Sequence, residues 1–497
     1  MTTQGDAELK VSASVRFATR VWLATLLAVF VVMIGLGITM RLNQGAVIEL
    51  NPQTFYAVMT MHGLGMAGTL FSTGIVLVWY VIAQRCDLSL RVMWLSYALV
   101  LAGAVGLLGA TLIGGFGPGW YALYPLPFVN PVWPAWSIGT AIVSLMLLGV
   151  AWLLVQLDIL RAIASRYGLG RMLAWNYLRG PEPSEPLPSS ILIGSMCAIA
   201  GSLGTLSGAA TLMMYFFKWQ APSTHFDPLL LKNTMFMFGH TIVNVTMYCG
   251  LCVVYEVLPK YTGRAWKVNR TVAIAWNATL LFVLFAYFHH LYMDFAQPKG
   301  MQYFGQVASY ASAVPATAVT IFGVGSQLYR SGLRWSFTPF AFTAAVVGWI
   351  IGGAAAVLDA TIMINRVFHN TLWVPGHFHT YFIVGYVLIL LGFVHHEVGS
   401  TKERMAGAGI AAMLAGGYAF VLMFYLGGIS SVPRRYAVYS AIPIKSVAHT
   451  GTQLAFYGAI AASLFLVGAL VFYASAVLGK RREQTASPPA EQQAAAE

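Results

Sequence analysis

Long apolar runs recur along the chain, each close to the ~20 residues that an α-helix needs to cross the hydrocarbon core of a bilayer. Short polar, charged or Pro/Gly-containing stretches separate them. Twelve such runs stand near residues 18–41, 55–84, 92–115, 135–160, 188–215, 228–258, 271–294, 308–327, 338–362, 371–397, 405–428 and 446–479. The pattern predicts an all-α polytopic membrane protein with twelve transmembrane helices, read as a single membrane domain over 16–480. Residues 1–15 are polar and of mixed charge. No small-residue cleavage site follows the first apolar run, so the pattern predicts a retained helix and not a signal peptide. Residues 481–497 are polar and rich in Pro and Ala, which predicts a disordered tail.

Composition strengthens this reading. Hydrophobic residues make up 58% of the 497 residues and Asp, Glu, Lys and Arg only 9%, with a mean hydropathy of +0.71. A soluble domain could not hide that much apolar surface. The positive charge is asymmetric. With the N-terminus inside, inner segments and loops hold 20 of the 28 Lys and Arg residues and the outer ones hold 8, so both termini are expected in the cytoplasm. The net charge of +12 then faces anionic lipid headgroups and implies no nucleic-acid partner. The four cysteines form no disulfide framework, and Cys249-x-x-Cys252 falls inside an apolar helix, where packing outweighs a redox or metal role.

Six histidines stand out against this apolar background: His62 in MHGLGM, His240 in FGHTIVN, His289-His290 in YFHH, and His377 with His379 in VPGHFH. They fall on four helices at a similar depth, in the outer third of the predicted bundle. A polar side chain there is costly and marks a site, and imidazole ligates haem iron and copper. Residues two apart on a helix point about 200° apart, so His377 and His379 cannot share one metal but can serve two centres flanking one helix. His62 can complete one of these as a bis-histidine haem, the other keeping an open position for a small molecule. His240, His289 and His290 remain, and three imidazoles suit copper. His225 and His369 fall in outer loops, with His369 one or two turns above the haem candidates. His395 and His396 read as a solvated inner helix end.

Taken together, HNTLWVPGHFH, FHH and FDPLLLKNTMFMFGH resemble subunit I of the haem-copper oxidase superfamily, over nearly all twelve helices and closest to its B-type branch. The resemblance implies His62 and His379 on a low-spin haem, His377 on a high-spin haem, both haems of b type, and His240, His289 and His290 on one copper ion. Arg434 and Arg435 in SVPRRY match the family's arginine pair at the haem propionates, with His369 nearby as a cofactor-binding candidate. It also implies a bacterial or archaeal cytoplasmic membrane and an electron-donating partner at the outer face, either a cupredoxin-like copper protein or a c-type haem protein. The chain itself has no C-x-x-C-H for covalent haem and no cysteine-rich copper loop.

One departure decides the expected reaction. A- and B-type oxygen reductases place a tyrosine four residues after the first copper histidine, on the same helix face; here that residue is Asn244. C-type oxidases place it six residues before the paired histidines, where this chain has Val283. Tyr287 lies two residues before His289 and should face away, and Tyr248 lies about 12 Å along the axis from His240. Splitting the O–O bond takes four electrons at once, and the phenol supplies the fourth. Coupling two NO molecules takes two, which iron and copper supply alone. The sequence therefore predicts a nitric oxide reductase, with Asn244 as a catalytic candidate able to donate a hydrogen bond. An oxygen reductase with a relocated tyrosine is the nearest alternative, and a transporter with proton-relaying histidines is an alternative of another kind. After Pro315, Ala316 and Val319 replace the Ser and Thr of the B-type proton path, and the adjacent Thr317 and Thr320 are rotated by about 100°. That path is not expected to be intact, and Tyr255 and Glu256 near the inner end of the sixth helix are the candidates for proton entry.

Overall fold

The computed structural model describes residues 11–129, 132–180 and 183–479. The expected tail 481–497, and the expected leading segment through residue 10, lie outside the described residues. In chain order the spans are α1 (Ala13–Gln44), α2 (Pro52–Ala83), α3 (Leu90–Ile113), α4 (Ala135–Tyr167), α5 (Ser189–Gln220), α6 (Pro228–Thr262), α7 (Arg270–Val283), α8 (Lys299–Leu328), α9 (Phe337–Ala360), α10 (Trp373–Val398), α11 (Glu403–Ile429) and α12 (Lys445–Leu478). All but α7 are long and apolar enough to cross a membrane. The described residues contain no strand.

Helix caps set where the histidines fall. Asn51 caps α2 by accepting from Thr54 N at 2.8 Å, and Asp227 caps α6 by accepting from Leu229 N at 2.7 Å. In both helices Pro occupies the first turn, where its missing N–H costs nothing. These fixed starts place His62 and His240 at defined distances inside the bundle.

The expected helix over 271–294 is not continuous. α7 stops at Val283, and the histidine pair sits in a 3-10 turn over Ala286–Leu291. The Ser309 hydroxyl of α8, which bonds its own Gly305 carbonyl at 2.6 Å, also lies 3.2 Å from the Ala286 carbonyl and so packs against this turn.

α2, α6 and α10 occupy the middle. In their most apolar stretches 83%, 89% and 72% of residues are buried, against 33% in α1, α3 and α8. A helix that is apolar on every face belongs inside a bundle, and these three carry four of the six histidines. α2 packs on α6, α6 also touches α10, and α10 lies between α9 and α11. α12 closes the outer layer against α11 and α1. Val105, Phe322 and Val477 are exposed on the outside, as a lipid-facing surface requires.

α10 loosens into a π-turn over Phe382–Tyr386. The wider turn leaves the Tyr381 carbonyl to accept from the Trp349 indole of α9 at 2.9 Å, and π-turns are frequent at functional sites. Here glycines let α9 and α10 approach. A Cβ on Gly348 would run into the Val384 carbonyl oxygen, and one on Gly385 into the Trp349 indole.

His395 and His396 are not a solvated end. His395 is buried and meets the Thr338 hydroxyl at 3.2 Å and Glu403 at 3.3 Å, and His396 meets the Tyr261 hydroxyl at 3.0 Å. Neighbouring helices extend past the end of α10 and cover it, which the pattern of α10 alone does not reveal. All four cysteines are buried, and no disulfide joins them.

Gly348→Ala is expected to destabilise the protein by about 1–3 kcal/mol, because backbone cannot yield to the added methyl. A lowered unfolding temperature in detergent checks this.

Candidate functional site

One continuous cavity of about 870 Å³ runs through the histidine-bearing end of the bundle. All six histidines of the four helical patches line it, and so do His369, Asn244, Arg434 and Arg435. His225 is exposed and lies apart from it.

His62 and His379 form one end. His62 Nδ1 meets the Met33 carbonyl of α1 at 2.8 Å, and His379 Nδ1 meets the Pro375 carbonyl at 2.7 Å. A carbonyl only accepts, so each Nδ1 carries the proton and each Nε2 keeps a lone pair. That tautomer suits a pair of axial haem ligands. The His379 ring stacks on Phe424 at 5.0 Å between centroids. Gly37 leaves His62 its place, since a Cβ there would sit 2.8 Å from the ring.

His240, His289 and His290 form the other end. Their ring centroids are 4.9, 5.4 and 4.1 Å apart, and one ligand nitrogen from each falls within 4.8 Å of the others. His240 Nδ1 lies 3.3 Å from His290 Nε2. His289 Nδ1 is held by the Ser309 hydroxyl at 3.1 Å, which leaves its Nε2 for a metal. Three imidazoles without a carboxylate in the group suit copper. Among the described residues this is the one such group of three.

His377 lies between the two ends, on α10. Its Nδ1 has no hydrogen-bond partner although it is buried. The Asp359 carboxylate of α9 lies 3.7 Å from it.

Arg434 and Arg435 follow in the loop after α11, and Arg434 N bonds the Asn370 carbonyl at 2.9 Å. Arg435 lies over the Tyr121 ring at 4.0 Å. Burial lowers the pKa of both guanidiniums, so their charge calls for anionic company. Arg434 Nε is buried without a partner, as are Nε and Nη2 of Arg41 on α1. Burial and these two cations hold His369 at about 4, so at neutral pH it adds no positive charge to theirs.

The residues fit haem groups and copper. Paired imidazoles with free Nε2 atoms, a third histidine, orphaned guanidinium nitrogens for propionates and a histidine triad all face one cavity. Sequence reasoning missed Arg41, Ser309 and Asp359. Arg41 ends an apolar run, where it reads as loop charge, and Ser309 and Asp359 act across helices. Their one available signal was a polar residue inside an apolar run.

Asn244 stands one turn after His240 on α6, the position of the family's phenol. Its Nδ2 lies 3.1 Å from His240 Nε2 and donates to the His240 carbonyl at 2.9 Å. The amide is therefore committed to its own helix and to the back of the His240 ring, away from the nitrogen that faces the other histidines. Tyr287 bonds Asn233 at 3.2 Å, Tyr310 bonds Thr361 at 2.6 Å, and Tyr248 packs edge-on to Trp276. Among the described residues no tyrosine hydroxyl bonds the triad. Nearer the opposite end of the bundle, Tyr255 bonds Thr320 at 2.8 Å and Glu256 pairs with Arg85 at 2.8 Å.

The family described as cytochrome c and quinol oxidase polypeptide I matches residues 18–462. The chain is 22% identical over 449 residues to cytochrome c oxidase subunit 1 of Thermus thermophilus, covering 84% of this chain and 75% of that one. It is 31% identical over 253 residues to cytochrome c oxidase polypeptide 1 of Halobacterium salinarum, covering 49% and 40%. It is 24% identical over 355 residues to quinol oxidase subunit 1 of Sulfolobus acidocaldarius, covering 68% and 65%. Among solved structures, a chain of a heme-copper terminal oxidase dimer shares the fold, with a TM-score of 0.79 over 96% of this chain and 86% of that chain at 19% identity. A match spanning nearly the whole bundle means that the chain belongs to the cytochrome c and quinol oxidase polypeptide I family, the subunit I of multi-pass membrane oxidoreductases built on haem and copper.

Proposed function

We propose that the chain is the catalytic subunit of a nitric oxide reductase, with residues 16–480 as its catalytic domain. The observation that carries this reading is Asn244 at His240 Nε2, together with the absence of a phenol bonded to the triad among the described residues. Two NO molecules, two electrons and two protons give N2O and water, and an amide in that place cannot be oxidised to supply a further electron.

In this reading His62 and His379 hold the low-spin haem, His377 the high-spin haem, and His240, His289 and His290 the copper. When bound, the iron and copper of the second centre supply the two electrons that NO coupling needs. Ser309 orients His289, and Asn244 braces His240 from behind. Arg434, Arg435 and His369 line the propionate side, and Arg41 serves the low-spin haem. Glu256, Tyr255 and Thr320 carry protons inward from the opposite end, which the distribution of Lys and Arg makes the cytoplasmic one. Electrons arrive at the histidine-bearing end from a cupredoxin-like or c-type haem partner, in a bacterial or archaeal cytoplasmic membrane.

A second reading, reduction of oxygen to water, is favoured by the relatives' names, which are those of cytochrome c and quinol oxidases. Tyr310 and Tyr381 also line the cavity. Purified, haem- and copper-loaded enzyme mixed anaerobically with NO is expected to form N2O. Fast oxygen reduction with no N2O would sink the nitric oxide reading.

Asn244→Tyr is expected to lower NO turnover about 10- to 100-fold, the usual effect of losing a ligand's supporting partner, with N2O measured by gas chromatography. His289→Ala is expected to remove copper and abolish N2O formation while the low-spin haem absorption persists. Elemental analysis together with the optical spectrum checks that outcome.

A further inference from the structure

Asp359 is a carboxylate enclosed within the bundle. It ends α9, is 2% exposed, and turns Oδ2 toward His377 Nδ1 at 3.7 Å. Asn365 holds it from the other side. The Asn365 amide nitrogen lies 3.4 Å from Asp359 Oδ1 and donates to the Asp359 carbonyl at 2.7 Å.

The other histidines set a contrast. Behind His62 and His379 stand neutral backbone carbonyls, and behind His289 a hydroxyl. Behind His240 stands an amide. Beside His377 Nδ1, which has no hydrogen-bond partner, stands a carboxylate; the same carboxylate also lies within electrostatic reach of His289.

The geometry points to Asp359 as a positioning residue that accepts the Nδ1–H of His377 and so makes that ring a stronger axial ligand for the high-spin haem. A separation of 3.7 Å is longer than a hydrogen bond, and a small rotation of the ring toward α9 closes it. A carboxylate behind a ligating imidazole fixes its tautomer and raises its basicity. A more basic axial ligand strengthens the iron–nitrogen bond and favours the ferric state. The competing acceptor is the Val374 carbonyl, one turn earlier on α10. Arg434 lies within electrostatic reach of Asp359 and offsets the cost of burying its charge.

This inference rests on His377 holding the high-spin haem, as proposed above, and is independent of which gas is reduced. Resonance Raman of the reduced, ligand-free, full-length enzyme reads the iron–histidine stretch, and redox titration reads the midpoint potential. Asp359→Asn is expected to lower the stretching frequency and to raise the high-spin midpoint, by about 59 mV for each tenfold loss of ferric preference. Asp359→Glu is expected to restore most of both. The low-spin haem is the internal control and is expected to keep its spectrum and potential. If Asp359→Asn leaves the stretch and the midpoint at their wild-type values, the proposal is overturned and the proton belongs to the Val374 carbonyl. If that variant fails to load haem, Asn365→Ala keeps the carboxylate but frees its second oxygen. It is expected to move the same band, and an unmoved band overturns the proposal. A wild-type enzyme with no iron–histidine band removes the ligand assignment itself and the proposal with it. NO and oxygen turnover, measured on the same samples, judge the choice of gas separately.

Discussion

Hydrogen bonds behind the histidines organise this protein. An imidazole has two ring nitrogens, and inside an apolar bundle neither can be left without a partner cheaply. The fold meets one of them with a group from the protein: the Met33 carbonyl for His62, the Pro375 carbonyl for His379, and the Ser309 hydroxyl for His289. The opposite nitrogen then faces the cavity. Tautomer, ring direction and readiness to bind a metal all follow from which groups stand at the back. The same constraint explains why the most enclosed helices carry most of the site, since only there can carbonyls and hydroxyls from several directions reach one ring.

Much of this was legible in the chain. The length of the apolar runs marked the spans, and the six histidines stood out because little else in those runs is polar. What failed to show was whatever depends on a neighbour. The break in α7 leaves the histidine pair in a 3-10 turn held against Ser309 of α8, and no periodicity within 271–294 records that. His395 and His396 read as solvated because α10 ends there, yet Thr338, Glu403 and Tyr261 cover them. Asp359 looked like one acidic residue near the end of a span, and only the packing of α9 on α10 brings it toward His377. The substitution at Asn244 was visible as a difference, but its amide turns to the rear of His240 and not openly toward a substrate.

Close packing between α9 and α10 extends this logic to the backbone. Gly348 and Gly385 remove side chains where the helices meet, and Trp349 fills the gap while donating to the carbonyl that the π-turn releases. The wider turn rotates the rest of α10 relative to its first two turns. The segment that holds the histidines can therefore be oriented separately from the segment packed against Tyr80 through Phe393.

His377 and His379 sit two residues apart on a single stretch of α10. In the proposed assignment each would hold its own haem, and the spacing between the two groups would be a property of local covalent structure. Tilting or breathing of the surrounding helices would then leave that gap nearly constant, and passage of charge across it would be insulated from the slower motions that admit gas, protons or a docking partner.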